Sequence, residues 1–383
     1  MATIVIGSYM VRYPLGGNLS WALQYLVGFK ELGHEVYVVE KYAYPDSCYD
    51  PVKGVLSDDC SYGVKVVSDL LARYGLENNW CFVENGEIYH GLSKQQVTDV
   101  FKRADVYLES GAHGAWNEES MWAGTRVYID VDPAFTQIRQ FNDLRIGLSL
   151  PKFDHYYTNG INIGKAGNTI PTNGIKWRYI LNPVNSHLFS RAAPPQNAPY
   201  STIMNWKSYS EAVELNGIKY GHKDIEFEKF KYLPQFVDVP LEMAVTSLLP
   251  PDEKKIREYG WLIKNAQQAT FSFDSFRDYL LSCRGEFSVC KHMYTATNSG
   301  WFSDKSAAYM ACGRPVVVQE TGFSAYLPVG IGLFAVNNID EAKNAIETIE
   351  GNYEWHSEKA FDIAHEYLAA DKVLSKLLAE LGI

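Results

Sequence analysis

Three groups of side chains in this sequence have the types and spacing that chemistry uses. The first lies in Ser299 to Gln319, SGWFSDKSAAYMACGRPVVVQ, which reads as a loop, a short helix, a glycine stop and a buried strand. Ser303 is placed to cap the helix; Ala307, Ala308, Met310 and Ala311 favour it, and Gly313 ends it. Pro315 then opens the apolar run Val316-Val317-Val318, which suits a central parallel strand. A helix N-terminus facing a crevice offers unpaired N–H groups and about half a positive charge, a setting that attracts anions. Hydroxyls from Ser303 and Ser306 and the ammonium of Lys305 add to it. The second group is titratable. His113, in SGAHGAW, can take a proton from a hydroxyl or hydrogen-bond a ligand, and Glu109 just upstream is a rival base. Asp130 and Asp132 form a DxD-like pair; alternate positions on a strand end point to one side, so both are expected to face a cleft, as metal ligands or with Asp132 as a base. The third group is cationic: Lys207, Lys223 and Lys291 flank predicted strands or loops and can stabilise a departing anion. Each group also fits a plainer role, as an ordinary loop–helix–strand unit, a histidine satisfied within a turn, or solvated lysines.

The elements that must position these groups repeat a strand–loop–helix pattern. Thr3 to Gly7 reads as a short buried strand opening into the loop Ser8 to Gly17, where Gly16-Gly17 would let a phosphate or sugar approach the backbone. No GxGxxG follows this strand, which argues against NAD or FAD. Leu19, Ala22, Leu23, Leu26 and Val27 share one helix face, Gly33 closes that helix, and Glu35 to Val39 forms the next strand. Such a start implies a right-handed crossover and a parallel sheet. Strands are expected at Asp105–Leu108, Arg126–Ile129 and Asp154–Thr158, each ending in a polar loop, and ligands of open α/β sheets bind beyond such strand ends. Asn182 to Pro199, with four prolines and no period, reads as a linker. The pattern then restarts, with strands at Ser201–Met204 and Glu242–Thr246 and helices near Lys223–Tyr232, Pro251–Tyr259, Ser272–Leu281 and Asp340–Glu350. A last helix presents Val373, Leu374, Leu377, Leu378 and Leu381 on one face.

At 383 residues the chain is long enough for two domains with separate cores. Charged residues at 21% and hydrophobic ones at 46% fit a globular protein, and a formal charge of −10 excludes a global electrostatic footprint for nucleic acid. A local groove of Lys102, Arg103, Lys165, Lys176 and Arg178 stays compatible with phosphate contacts. Aromatic residues at 14% supply stacking surfaces besides core packing. The six cysteines form no CxxC pair and read as reduced cytosolic thiols, not as a zinc site or a disulfide framework. MATIVIGSYMV lacks a signal peptide's basic start, and no apolar run approaches the roughly 18 residues of a membrane span, so a cytoplasmic protein is expected. No Ser-His-Asp order, HExxH or P-loop supports a hydrolase or an ATPase.

Taken together, the Ser299–Gln319 motif and its neighbourhood resemble the donor-binding half of GT-B glycosyltransferases. Many retaining members carry a pattern like EGFGLPxLEAMACGTPVV; aligned on it, this chain keeps Phe302, Met310, Ala311, Cys312, Gly313, Pro315 and the valines. Gly300 and Ala308 stand where that pattern has glutamates, so a retaining mechanism does not carry over. The wording GEFSVCK…SGWFSDKSA…GRPVVVQETGF also resembles a bacterial or phage branch of the fold. The resemblance implies an α/β chain of GT-B architecture, two Rossmann-like domains facing each other across a cleft. Residues 1–185 would form the acceptor side and 186–364 the nucleotide-sugar side, with 365–383 returning to the first domain. It implies transfer of a sugar from a nucleotide donor, expected to be a UDP-sugar, to an acceptor hydroxyl. Gly16, Gly17, Lys223, Lys291, Ser303, Asp304, Lys305, Ser306, Gln319 and Glu320 would bind the donor, and His113, Asp132 or Glu109 would act in catalysis. Neither a metal nor a resident cofactor is implied, the nucleotide sugar being a cosubstrate. A small molecule or glycan is the expected acceptor. Hydroxymethylated DNA bases, a sugar-nucleotide epimerase and a silent nucleotide-sugar binder are the alternatives.

Overall fold

A computed structural model describes residues 1–42, 44–206 and 213–383; the candidate Lys207 lies outside the described residues. Two parallel sheets dominate it. The first runs, in spatial order, Trp177–Tyr179, His155–Thr158, Thr125–Asp130, Val106–Glu109, Thr3–Gly7, Glu35–Lys41, Trp80–Glu84 and Ile88–Gly91, with only the last strand antiparallel. The second runs Leu262–Asn265, Leu241–Thr246, Tyr200–Asn205, Gly285–Ser288, Val316–Gln319 and Leu333–Val336, all parallel. Their strands read as apolar runs because helices cover both faces. Val316 and Val317 are fully buried between two neighbouring strands.

In each sheet the strand order reverses beside the first strand of that half. Thr3–Gly7 lies between Glu35–Lys41 and Val106–Glu109, and Tyr200–Asn205 lies between Leu241–Thr246 and Gly285–Ser288. Loops leaving the carboxyl ends at such a reversal diverge and open a crevice. This places the loops after Gly7 and Glu109 at one crevice, and the loop after Ser288 at the other.

The expected strands and helices occur with ends shifted by a residue or two, apart from the helix at Lys223, which stops at Phe227. The glycine pair needs correction. The helix already starts at Gly16, so the pair forms its first turn and is not loop. Gly16 donates its N–H to the Thr270 carbonyl at 2.7 Å, and a Cβ there would sit 2.3 Å from the Ser272 carbonyl oxygen. The smallness of Gly16 serves a close crossing between the two halves, whereas Gly17 faces open space. The helix Ala370–Leu381 packs on Gly16–Glu31, where a Cβ at Gly28 would meet the Leu374 side chain at 2.6 Å. Tyr157 donates to Glu380 at 2.9 Å from the first sheet.

Candidate active site

The helix Asp304–Ala311 starts as its sequence dictates: the Ser303 hydroxyl accepts from the Lys305 N–H at 3.1 Å. Ser303 and Ser306 line a narrow pocket at the carboxyl end of the second sheet, together with Lys223, Ser288, Cys290 and Lys305. Burial, then the positive charges of Lys305 and Lys291, push the Lys223 ammonium down to about 7. Three cations thus converge near the helix start. Asp304 lies in the first turn of that helix, and burial raises its carboxyl above the usual range. A larger hollow of about 390 Å³ opens on the outer edge of the first sheet near Tyr37, Gln96 and Arg103, and no motif residue borders it.

Several expected donor ligands are otherwise engaged. Lys305 turns inward: its Nζ pairs with the fully buried Glu286 at 2.7 Å and donates to Ser288 at 2.7 Å and Thr202 at 3.0 Å. Its charge is held by the sheet. Gln319 accepts from the Cys290 N–H at 3.1 Å and donates to Glu226, so it braces the loop after Ser288 and does not reach out for sugar hydroxyls. Glu320 accepts from the Gly322 N–H and closes its own turn.

In the first half the DxD-like pair splits. Asp130 is buried, and its carboxylate accepts from Thr136 at 2.6 Å, Thr158 at 2.7 Å, Gln137 at 2.8 Å and the Asp132 N–H at 3.0 Å. A carboxylate with that many donors anchors a turn and is not poised for a metal. Asp132 instead crosses the cleft, where Lys291 Nζ lies 3.0 Å away and the Tyr294 hydroxyl donates to it.

Glu109 is buried beneath the loop it precedes, and burial raises its carboxyl to about 7 against hydrogen bonds from Tyr107 and the N–H groups of Ala112, His113 and Gly114. It shapes the loop and is shut off from an acceptor. His113 sits above it with a left-handed φ of 52° and an exposed side chain. Its imidazole stacks near Tyr9, with centroids 6.4 Å apart, and a Cβ at Gly111 would collide with the Tyr9 ring at 2.4 Å. Partial desolvation between these loops, then the Arg12 and Arg139 charges, lower its pKa below the ordinary value.

The reading from sequence missed Tyr9, Arg12, Arg139 and Tyr294. Glu40 gathers the N–H groups of Met10, Val11 and Arg12 and the Arg12 guanidinium at 2.8 Å, which fixes the loop after the first strand. The Tyr9 hydroxyl is raised chiefly by burial and then by Asp304, with Asp132 adding to it, so it lies between the two halves. A polar loop straight after a first parallel strand was the signal for Tyr9 and Arg12.

The expected basic groove does not form as one surface. Arg103 binds Glu35 and Tyr37 of the strand Glu35–Lys41, whereas Arg178, on the far edge strand, reaches Tyr157 and the Glu380 carbonyl. All six cysteines are buried and free, and among the described residues no helix is long and apolar enough to cross a membrane.

No known family model matches the chain, and no curated protein does. Solved structures do. An alpha-glucosyltransferase in complex with UDP aligns over 100% of both chains at 11% identity and a TM-score of 0.59. The same kind of enzyme in complex with UDP and a 13-mer DNA aligns over 100% of both chains at 10% identity and 0.56. HepE from Anabaena in complex with UDP and glucose aligns over 99% of each at 12% identity and 0.56. With two separate, mainly parallel sheets and an alignment over the whole chain, the chain has the GT-B architecture of two Rossmann-like units across a cleft.

Proposed function

We propose that the protein transfers a sugar from a UDP-sugar to an acceptor hydroxyl. The observation that carries this is the place of Lys223, which, unlike the neighbouring Lys291 and Lys305, has no ion-pair partner among the described residues, beside the capped helix start at Ser303. A departing diphosphate needs positive charge beside it, and Lys223 offers one that becomes complete when the donor's diphosphate binds. In the reaction the acceptor oxygen bonds to the anomeric carbon as the bond to the UDP oxygen breaks. The acceptor proton passes to His113, whose lowered pKa keeps it neutral near pH 7. UDP-bound neighbours support the donor assignment. The divided basic residues favour a small molecule or glycan over DNA as acceptor.

In the same reading residues 1–185 form the acceptor domain, 186–364 the donor domain, and 365–383 return to the first. The GEFSVCK to GRPVVVQ wording marks a bacterial or phage branch. Six buried free thiols suit the reducing cytoplasm, where we place the reaction.

The test is calorimetry of UDP binding in buffers of different ionisation enthalpy. The wild type should take up close to half a proton at pH 7 as Lys223 is charged, with affinity falling as pH rises above 7. Lys223→Met should bind roughly tenfold more weakly and take up almost no proton, the loss of a charge-assisted contact being worth about 1.5 kcal/mol or more. Absence of UDP binding by the folded wild type would reject the reading.

A further inference from the structure

A second cluster of side chains lies at the rim of the first half. Cys60 precedes the helix Ser61–Arg73, Glu84 ends the strand Trp80–Glu84, and His90 belongs to the antiparallel edge strand Ile88–Gly91. Their thiol, carboxylate and imidazole ligand atoms all lie within 4.8 Å of one another. His90 Nε2 is 2.9 Å from Glu84 Oε2 and 3.9 Å from Cys60 Sγ. Cys60 is buried at 4% exposure, while the His90 and Glu84 side chains keep 27% and 22%, so the cluster has a closed side and an open side.

We propose that Cys60, Glu84 and His90 bind a divalent metal ion of the zinc type, with water at the fourth position. Sulfur, imidazole nitrogen and carboxylate oxygen are the donors such a borderline-soft ion takes. Ideal tetrahedral bond lengths put sulfur and nitrogen about 3.5 Å apart, and nitrogen and oxygen about 3.4 Å apart. The separations here differ from those by about half an ångström, within the reach of small side-chain rotations. A plain histidine–glutamate ion pair would explain two of the three groups. The third, the Cys60 thiol, is hydrogen-bonded to the same Glu84, and a metal at this point would take the place of its proton.

The site is not part of the transfer chemistry, and it does not depend on the donor reading. Its place in the chain gives it a structural consequence. Residues 44 to 60, between Glu35–Lys41 and Ser61–Arg73, carry the small hairpin of Cys48–Asp50 and Val55–Ser57 on an excursion from the sheet. Tyr49 in that hairpin stacks near Tyr13 at 6.4 Å and accepts a hydrogen bond from Gln267 of the second half. A metal joining Cys60 to the Glu84–His90 hairpin would pin the end of this excursion to the sheet edge, closing a loop that otherwise costs entropy to order. The ion therefore braces the first-half rim of the cleft.

The test uses full-length, untagged protein stripped of metal and titrated with cobalt(II), then with zinc in competition with a chromophoric chelator. The expected result is one tight equivalent, a near-ultraviolet thiolate-to-cobalt band and the intense visible bands of tetrahedral cobalt. Cys60→Ser should abolish the near-ultraviolet band. That variant and His90→Gln should each weaken zinc by more than the roughly hundredfold that loss of an outer-shell partner costs. Zinc should raise the melting temperature of the wild type and leave both variants unmoved. Far-ultraviolet circular dichroism and a cooperative melt of the metal-free variants verify their fold. Weak wild-type binding, an octahedral cobalt spectrum, or zinc affinity unchanged in Cys60→Ser would each overturn the proposal.

Discussion

The two halves of the cleft share a topology and differ in how their charges are used. At the carboxyl ends of the first sheet, Glu40, Glu109 and Asp130 are buried and surrounded by donors from the loops and strands around them. Each carboxylate holds a turn in shape, and the group left exposed above them is His113. At the reversal of the second sheet, one charge is neutralised in the same manner, Lys305 by Glu286. Lys223, however, has no ion-pair partner among the described residues, and it is destabilised as a cation by burial and by like charges. A buried cation without a counter-ion is costly unless an anion completes it. The three buried carboxylates of one half are thus satisfied beneath an exposed histidine, the candidate base, and the other half holds a lysine that an anion would complete. In the proposed transfer, that asymmetry would divide the labour between acceptor and donor.

The largest effect should come from the exposed member of the satisfied half. His113→Ala should lower kcat about a hundredfold or more, the usual scale for a general base, while leaving UDP affinity unchanged. The wild-type pH–rate profile should fall on the acid side below His113's lowered pKa, because protonation removes the base, and this limb should vanish in the variant. A variant with near-normal turnover would leave the first half without a base and erase the contrast.

A smaller effect is expected where the halves touch. Asp132 receives Lys291 and Tyr294 from across the cleft, so Asp132→Asn removes a charge that holds the halves together and keeps a similar shape. Turnover should drop by roughly tenfold, the cost of one partly buried charge-assisted contact, and small-angle scattering should show a more open particle. A hundredfold loss with unchanged scattering would instead make Asp132 the base and return His113 to a supporting place.

Much of the fold could be read from sequence because its signals are local. Ser303, Gly313 and Pro315 mark a cap, a stop and a strand start within a few residues of the elements they define. The split of the acidic pair was not legible. Period-two reasoning holds only while a strand continues, and this one ends at Asp130; the chain then turns through Pro133 and Ala134, whose φ is 69°. Lys305 was misplaced for a different reason. Its inward turn depends on Glu286 and Ser288, which face it only because Gly285–Ser288 forms a strand beside Val316–Gln319. The depressed pKa of Lys223 is likewise a product of assembly, since Lys291 and Lys305 lie far along the chain. Helix caps are written in neighbours, whereas the electrostatics of a site are written in packing.

The smallest effect tests whether the donor half relies on its helix start or on its lysines. Ser303→Ala removes the hydroxyl that accepts the Lys305 N–H, a cap worth about 1 kcal/mol of stability. The freed N–H remains available to an anion, so UDP affinity should fall only a few-fold, less than for Lys223→Met. Adding Ser306→Ala removes a second hydroxyl from the same pocket and should deepen the loss modestly. Because Asp130 is saturated with donors and Asp132 is paired with Lys291, neither is free to carry a metal to the diphosphate. UDP affinity should therefore be the same in excess magnesium and in excess EDTA, measured by calorimetry on the wild type. A strong magnesium dependence would mean that the first half supplies charge to the donor after all. An affinity lost completely in Ser303→Ala would shift the weight from the lysines to the helix start.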